Sequence, residues 1–422
     1  MNRLIIISSI IFTFISYPAL PKVQWASEVL GYSSEYGTKQ FSARQILGKP
    51  SVMPGMNVTP CAWMPEFRND SSKEWIKAGF ATPINVSRIA ISENNISGGI
   101  AQVVLIDTNG TEHNIYNSSP DFKKQAGAIL NISIPKTEYM VQAVMITLFY
   151  TDPKYRYQID AIGISDEDKQ IESAVNLAEN ADFSELPENP GDNVNSPYSE
   201  LLPVISQQGD ILYYTRSGHP ANKGLSRRND IWFSVIDSAG NFGKSENIGK
   251  PINNEYHNFA FSVTQDGNGL LMANRYLRNG TMTKGVSISY KSREGWSFPD
   301  SVIIRDFTNL NANAGYFLAS SGREMIMSIE MEDSRGGTDL YISHLLEDGT
   351  WSKPENLGDN INTASDESTP FLASDGVTLY FSTQGYCGYG NNDIFITRRK
   401  DTTWHNWQEP KNLGNTINSK YW

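Results

Sequence analysis

The chain has 422 residues, 39% hydrophobic and 19% charged, with 11% aromatics, 33 glycines and 20 prolines. This composition excludes wholesale disorder and favours more than one domain built from many short strands joined by tight turns. The net charge of −11 excludes nucleic-acid binding through an overall electrostatic footprint. Two cysteines, Cys61 and Cys387, are too few for a disulfide framework or a cysteine-ligated zinc site.

In chain order, Asn2 and Arg3 precede an apolar run from Leu4 to Ile15, and the small residues Ser16 and Ala19 follow. This pattern predicts a secretory signal peptide over residues 1–21 and hence export. The run is shorter than the roughly 20 residues that span a bilayer. No cysteine follows it to take a lipid anchor.

Residues 22–165 carry strand-like runs at 74–80, 86–92, 103–107 and 141–148, with a hairpin signal at Asp107-Thr108-Asn109-Gly110. The spacing predicts an all-β sandwich. The strings Trp25-Ala26-Ser27-Glu28-Val29, Ser42 to Pro50, Trp75 to Phe80 and Gln158 to Ile164 resemble the discoidin, or galactose-binding-like, jelly roll. That resemblance implies ligand binding by loops at one end, here near 31–37, 53–72 and 93–99. Tyr32, Tyr36, Trp63 and Arg68 are the candidates for stacking or polar contact there, against the plainer alternative that they pack on the sandwich.

Residues 166–186 are acidic without a strand pattern and read as a linker or short helix. A first repeat tail follows to 195, and the repeats themselves occupy 196–422.

The repeats are the strongest signal. The string Pro354-Glu355-Asn356-Leu357-Gly358-Asp359-Asn360-Ile361-Asn362 recurs, with changes, at 187–195, 245–253 and 410–418. In phase with it, strand pieces end at Ser206, Thr264, Ser320 and Ser374 before Gly-containing turns, roughly 55 residues apart. A third string begins at Asp230, Asp339 and Asp393, with Gly285 in that place in the second unit. An aromatic residue closes each unit: Phe242, Trp296, Trp351, and Trp404 or Trp407.

Four antiparallel strands per unit predict a β-propeller with four recognisable blades behind the jelly roll. The three strings resemble the WD-repeat-like (PD-type) propellers of the TolB kind found in Bacteroidetes envelopes. The resemblance implies a periplasmic or outer-membrane-associated place, or the cell surface, and envelope-protein partners. Peptidoglycan anchoring would need an OmpA-like domain, which does not follow here. The lone string at 187–195 leaves two possibilities: a piece of a longer ring, or a strand at 180–195 closing a small one.

Chemistry is sparse. No His-Glu-x-x-His, Gly-x-Ser-x-Gly or Gly-x-x-x-x-Gly-Lys string exists. Acidic pairs, Glu330 with Asp333 and Asp366 with Glu367, and the sialidase-like turn Glu347-Asp348-Gly349-Thr350-Trp351 are the only hints of glycoside processing. The recurring Asp residues read as turn caps accepting backbone N–H bonds, with metal binding the lesser alternative.

The loops 215–229, 273–284, 329–338 and 383–392 offer Arg216, Arg227, Arg228, Arg275, Tyr276, Arg335, Tyr386 and Tyr389 as a partner-binding face. The expectation is therefore a non-enzymatic envelope binding or scaffolding protein without catalytic residues, metal or cofactor. The alternative is a carbohydrate-binding or glycoside-processing exported protein.

Overall fold

The computed structural model describes residues 23–55, 57–66, 73–119, 125–149, 156–179, 181, 188–224 and 228–420. The expected signal peptide and Arg68 lie outside these residues.

The first nine strands are β1 (Gln24–Trp25), β2 (Glu28–Tyr32), β3 (Trp75–Ile84), β4 (Arg88–Ser97), β5 (Ile100–Asp107), β6 (Glu112–Asn117), β7 (Gln125–Ser133), β8 (Val141–Leu148) and β9 (Gln158–Ser165). They form two antiparallel sheets, β1-β9-β4-β7 and β2-β3-β8-β5-β6. Ile76, Ile89, Ile91, Val103, Leu105, Val144, Ile146, Ile162 and Ile164, all fully buried, interdigitate between them. The expected hairpin is the β5–β6 turn: the Asp107 carboxylate accepts from the amides of Asn109 and Thr111, and Gly110 takes a positive φ.

Four further antiparallel sheets follow. The first holds β10 (Ser199–Ile205), β11 (Ile211–Ser217), β12 (Asp230–Val235) and β13 (Glu246–Asn247). The second holds β14 (Ala260–Val263), β15 (Gly269–Tyr276), β16 (Met282–Ser292), β17 (Gly295–Trp296) and β18 (Asp300–Val302), the last two both paired with β16. The third holds β19 (Gly315–Leu318), β20 (Glu324–Ile329), β21 (Asp339–His344) and β22 (Glu355–Asn356), and the fourth β23 (Glu367–Leu372), β24 (Thr378–Thr383), β25 (Asp393–Arg398) and β26 (Lys411–Asn412).

The first strands of successive sheets touch in order, β10 with β14, β14 with β19 and β19 with β23. Among the described residues the four sheets form no closed ring, so the expected propeller is corrected to a succession of stacked sheets. The strand strings report how each sheet is paired internally. Closure depends on the rotation between sheets, which leaves no mark in a strand string.

The repeated nine-residue string has a physical cause. In the third sheet Asn356 Nδ2 donates to Asp339 Oδ2 (2.9 Å), and Asn362 Nδ2 donates to Asn356 Oδ1 (2.8 Å) and to the Leu340 carbonyl (3.0 Å). Asn362 Oδ1 accepts from the Leu340 amide (2.8 Å), and Gly358, at φ +89°, turns its amide onto Asn356 Oδ1 (2.8 Å). The short fourth strand is thereby clasped to the head of the third. The same bonds join Asp230, Asn247 and Asn253, and Asp393, Asn412 and Asn418. The recurring aspartates also accept from loop amides such as those of Lys223, Arg335 and Tyr389. They act as caps, with Asp230 using only its Oδ2.

The acidic stretch after β9 forms no helix among the described residues. It runs to the last sheet, where Leu177 bridges Asn412 in parallel, the Ala178 amide donates to the Asn412 carbonyl (2.9 Å) and the Asn412 amide to the Asn176 carbonyl (2.7 Å).

Candidate functional site

The loop end of the sandwich lies between β2 and β3, and much of it is covered. Lys39 Nζ donates to the Glu332 carbonyl (2.7 Å), Gln40 to the Ala364 carbonyl (3.1 Å), Lys49 pairs with Glu409, and the Cys387 thiol lies 3.4 Å from the Pro50 carbonyl. Val52, Cys61 and Ala364 form a small apolar cluster in this contact. Val52, Met53, Asn57, Val58 and Thr59 therefore face the loop 384–391 of the last sheet across a 40 Å³ cavity.

Two buried carboxylates flank the contact. Asp160 accepts from the Ser51 hydroxyl (2.5 Å) and from the amides of Ser51 and Val52, and burial pushes it up to about 7. Glu367 accepts from Thr363 and Thr383, and burial, with the Asp339 charge adding to it, pushes it up to about 8. Both cysteines are free thiols, raised to about 12 chiefly by burial.

What stays open at this end is a ledge at the close of β2. Tyr32 and Tyr36 are 41% and 56% exposed. The Glu35 carboxylate accepts from the Tyr32 hydroxyl (3.2 Å) and, through its other oxygen, from the Ala43 amide (2.9 Å). Glu35 pushes the Tyr32 hydroxyl above its ordinary value, so the phenol stays protonated and keeps donating. Phe41 meets the Tyr36 ring edge-on at 5.6 Å.

The turn beneath the ledge is braced from inside. Trp63 Nε1 donates to the Ser34 carbonyl (2.9 Å), and the hydroxyls of Ser33 and Ser34 donate to the buried Glu74 carboxylate. Trp63 is fully buried and is corrected from ligand contact to brace. Sequence reasoning missed Glu35, whose signal was its position between two loop tyrosines. The expected 93–99 loop is corrected to the end of β4 and a short turn, where Glu93 is buried, held by the amides of Gly98 and Gly99, and raised to about 7 by burial.

Of the expected partner face, Arg216 and Tyr276 are buried, Arg228, Tyr386 and Tyr389 are half-buried, and Arg275 and Arg335 are exposed. Arg216 is 4% exposed, ion-paired to Glu200 (2.9 Å), bonded to the Val194 carbonyl (2.6 Å) and stacked on Trp232. Tyr276 is buried, its hydroxyl accepting from Asn258 (3.0 Å). Arg335 donates to the Asp359 and Asn362 carbonyls, and Tyr386 to the Asn360 and Ile361 carbonyls. The Tyr389 amide caps Asp393, and the Arg228 carbonyl accepts from Asn222. Arg227 lies outside the described residues. The side chains of Arg216, Tyr276, Arg335 and Tyr386 bond within the repeats because each loop must satisfy the strand ends it connects.

Arg275 differs. Its exposed side chain has, among the described residues, no hydrogen-bond or ion-pair partner. It borders a cleft of about 390 Å³ lined by Gly285, Val286, Val302, Ile303, Ile304 and Phe307, with Lys284 at its edge. The cleft marks where the second unit lost its clasp. Ser287 pairs with Ser301 as Tyr341 pairs with Asn356, so Gly285, Ser301 and Phe307 stand where Asp, Asn and Asn stand elsewhere. A side chain at position 285 would collide with the Arg275 stem, which lies over the glycine.

The acidic pairs are occupied structurally. Glu330 accepts from Asn311, Asp333 from Tyr341, and Asp366 from Thr338. Asp348 caps a tight turn through Thr350 and pairs with Arg305. No group of three or more potential metal ligands occurs among the described residues.

The family model described as "Pappalysin-1, SD scarf domain, C-terminal" matches residues 19–174. No curated protein matches the chain. Among solved structures, the chain is similar to the family 32 carbohydrate-binding module from Streptococcus pneumoniae EndoD (9% identity, 34% of this chain and 95% of that one, TM-score 0.25). It is also similar to the family 32 module from C. perfringens NanJ in complex with galactose (13%, 34% and 99%, TM-score 0.25). A glycosyl hydrolase from Bacteroides ovatus covers more of the chain (10%, 54% and 78%, TM-score 0.33). The matched family model overlaps the sandwich, and with no closed ring among the described residues the TolB-kind resemblance of the second half is withdrawn.

Proposed function

We propose that this is a carbohydrate-binding protein that holds a glycan on the Tyr32–Glu35–Tyr36 ledge and performs no chemistry on it. The carrying observation is the ledge itself: two exposed tyrosines close in sequence, with an oriented carboxylate bonded to the first. An aromatic ring offers a flat apolar surface to the C–H face of a pyranose, and a carboxylate accepts from its hydroxyls. Because Ala43, Trp63 and Glu74 fix the turn, little ordering entropy is lost on binding.

The test is a glycan array on the full chain, followed by calorimetric titration of any hit. Tyr32→Ala and Tyr36→Ala should each weaken binding about tenfold or more, a loss of roughly 1.4 kcal/mol. A silent array, or a glycan bound equally well by both variants, overturns the reading. We also propose that the protein is exported, which N-terminal sequencing of the mature protein tests.

A further inference from the structure

We infer that residues 188–195 form a docking site for one β-strand of another polypeptide, with the pattern Asp, aliphatic, aromatic. The inference rests on a comparison within the chain. Gly191, at φ +80°, turns its amide onto Asn189 Oδ1 (2.8 Å), and Asn195 Nδ2 donates to the same oxygen (2.7 Å). The Gly191 carbonyl accepts from the amides of Val194 (3.1 Å) and Asn195 (2.9 Å). Gly358, Asn356, Ile361 and Asn362 repeat these bonds at 2.8, 2.8, 3.1 and 3.0 Å.

The position relative to the following sheet is also repeated. Asn193 Nδ2 donates to the Phe242 carbonyl (2.7 Å) as Asn360 Nδ2 donates to the Trp407 carbonyl (3.1 Å). Val194 is buried against the first sheet. The segment is thus a formed clasp, seated as the other clasps are.

Among the described residues it holds no strand of the kind that the others hold. Asn356 Nδ2 reaches Asp339, and Asn362 makes a two-way amide pair with Leu340. Among the described residues Asn189 Nδ2 has no acceptor and Asn195 Oδ1 no donor. Asn253, Asn362 and Asn418 are buried, whereas Asn195 is half-buried and Asn189 exposed. The bonding groups that elsewhere select a third strand face solvent here.

The occupant follows from what the other clasps take. They hold Asp230-Ile231-Trp232, Asp339-Leu340-Tyr341 and Asp393-Ile394-Phe395. A second copy of this chain is a poor donor, since those three strands already carry their own clasps and β16 presents Gly285 instead of Asp. A strand from a different chain, added at an edge by backbone and Asn–Asp bonds, fits.

A fluorescein-labelled peptide of the sequence of residues 337–345, Gly-Thr-Asp-Leu-Tyr-Ile-Ser-His-Leu, titrated with the full chain and read by anisotropy, tests this. Saturable binding is expected, weakened about tenfold or more by Asn195→Ala in the protein and by Ala in place of Asp in the peptide. The peptide variant leaves the protein untouched and so separates recognition from folding. No saturation up to millimolar protein, or affinity unchanged by both substitutions, overturns the proposal. Failure here leaves the glycan ledge intact, because the two sites share no residue.

Discussion

Asn356 donates to Asp339 at 2.9 Å and so joins the last strand of the third repeat to the head of its neighbour. Asp339 also accepts from the amides of Arg335 and Gly336, and it is fully buried. Asp339→Ala leaves three donors without an acceptor and should cost about 2–4 kcal/mol in urea unfolding. Asp230→Ala should cost less, because Asp230 Oδ1 has no partner to lose. Equal losses at the two positions would show that the clasp bonds do not set the cost.

The clasp explains what was legible in the sequence. Asn, Gly and Asn at fixed spacing are each required, the glycine by its positive φ, so the string stood out at 187–195, 245–253, 354–362 and 410–418. The strands of the sandwich were legible for a similar reason, since alternation shows which runs are covered. Contacts between distant segments leave no such period. Nothing near Pro50 announces Cys387, and Trp63 reads like any loop aromatic until Ser34 is seen to take its N–H. The loop arginines misled because charge in a loop looks the same whether it meets solvent or, as at Arg216, the half-buried Glu200.

The buried carboxylates give the fold a pH dependence. Asp160 and Glu367 are raised by burial to about 7 and about 8, so between their unfolded values and these the native state holds more protons than the unfolded one. Stability from this source is complete below about pH 4 and is lost as pH rises through 7 to 8. His219 and His257 are lowered by burial and act in the opposite sense, losing stability as pH falls through their folded values. Urea midpoints should therefore fall from pH 7 to pH 9, above the window in which the two lowered histidines act. Asp160→Asn and Glu367→Gln should each flatten that fall; a midpoint unchanged over this range would contradict the burial of both groups.

Cys61 and Cys387 should be poor nucleophiles in the native protein. Burial comes first in raising both thiols to about 12, and the Asp160 charge adds to it, leaving little thiolate at pH 8. Iodoacetamide at pH 8 should label Cys61 only after denaturation, and Cys387, which is half-buried, slowly. Rapid labelling of Cys61 in the native protein would mean that the contact between loop 52–61 and the last sheet opens readily.

Arg216 and Arg275 should separate under substitution although both are loop-end arginines. Arg216→Ala removes the partner of Glu200, a donor to Val194 and the cation over Trp232, all in a nearly dry site. The loss should be about 3–5 kcal/mol, with the first sheet losing protection from hydrogen exchange. Arg275→Ala removes an exposed side chain without a polar partner and should shift stability by less than about 0.5 kcal/mol. Its stem covers Gly285, so the substitution should widen the cleft beside Phe307 and increase binding of an apolar dye there. A destabilisation at Arg275 as large as that at Arg216 would show that its stem, and not its charge, seals the second sheet.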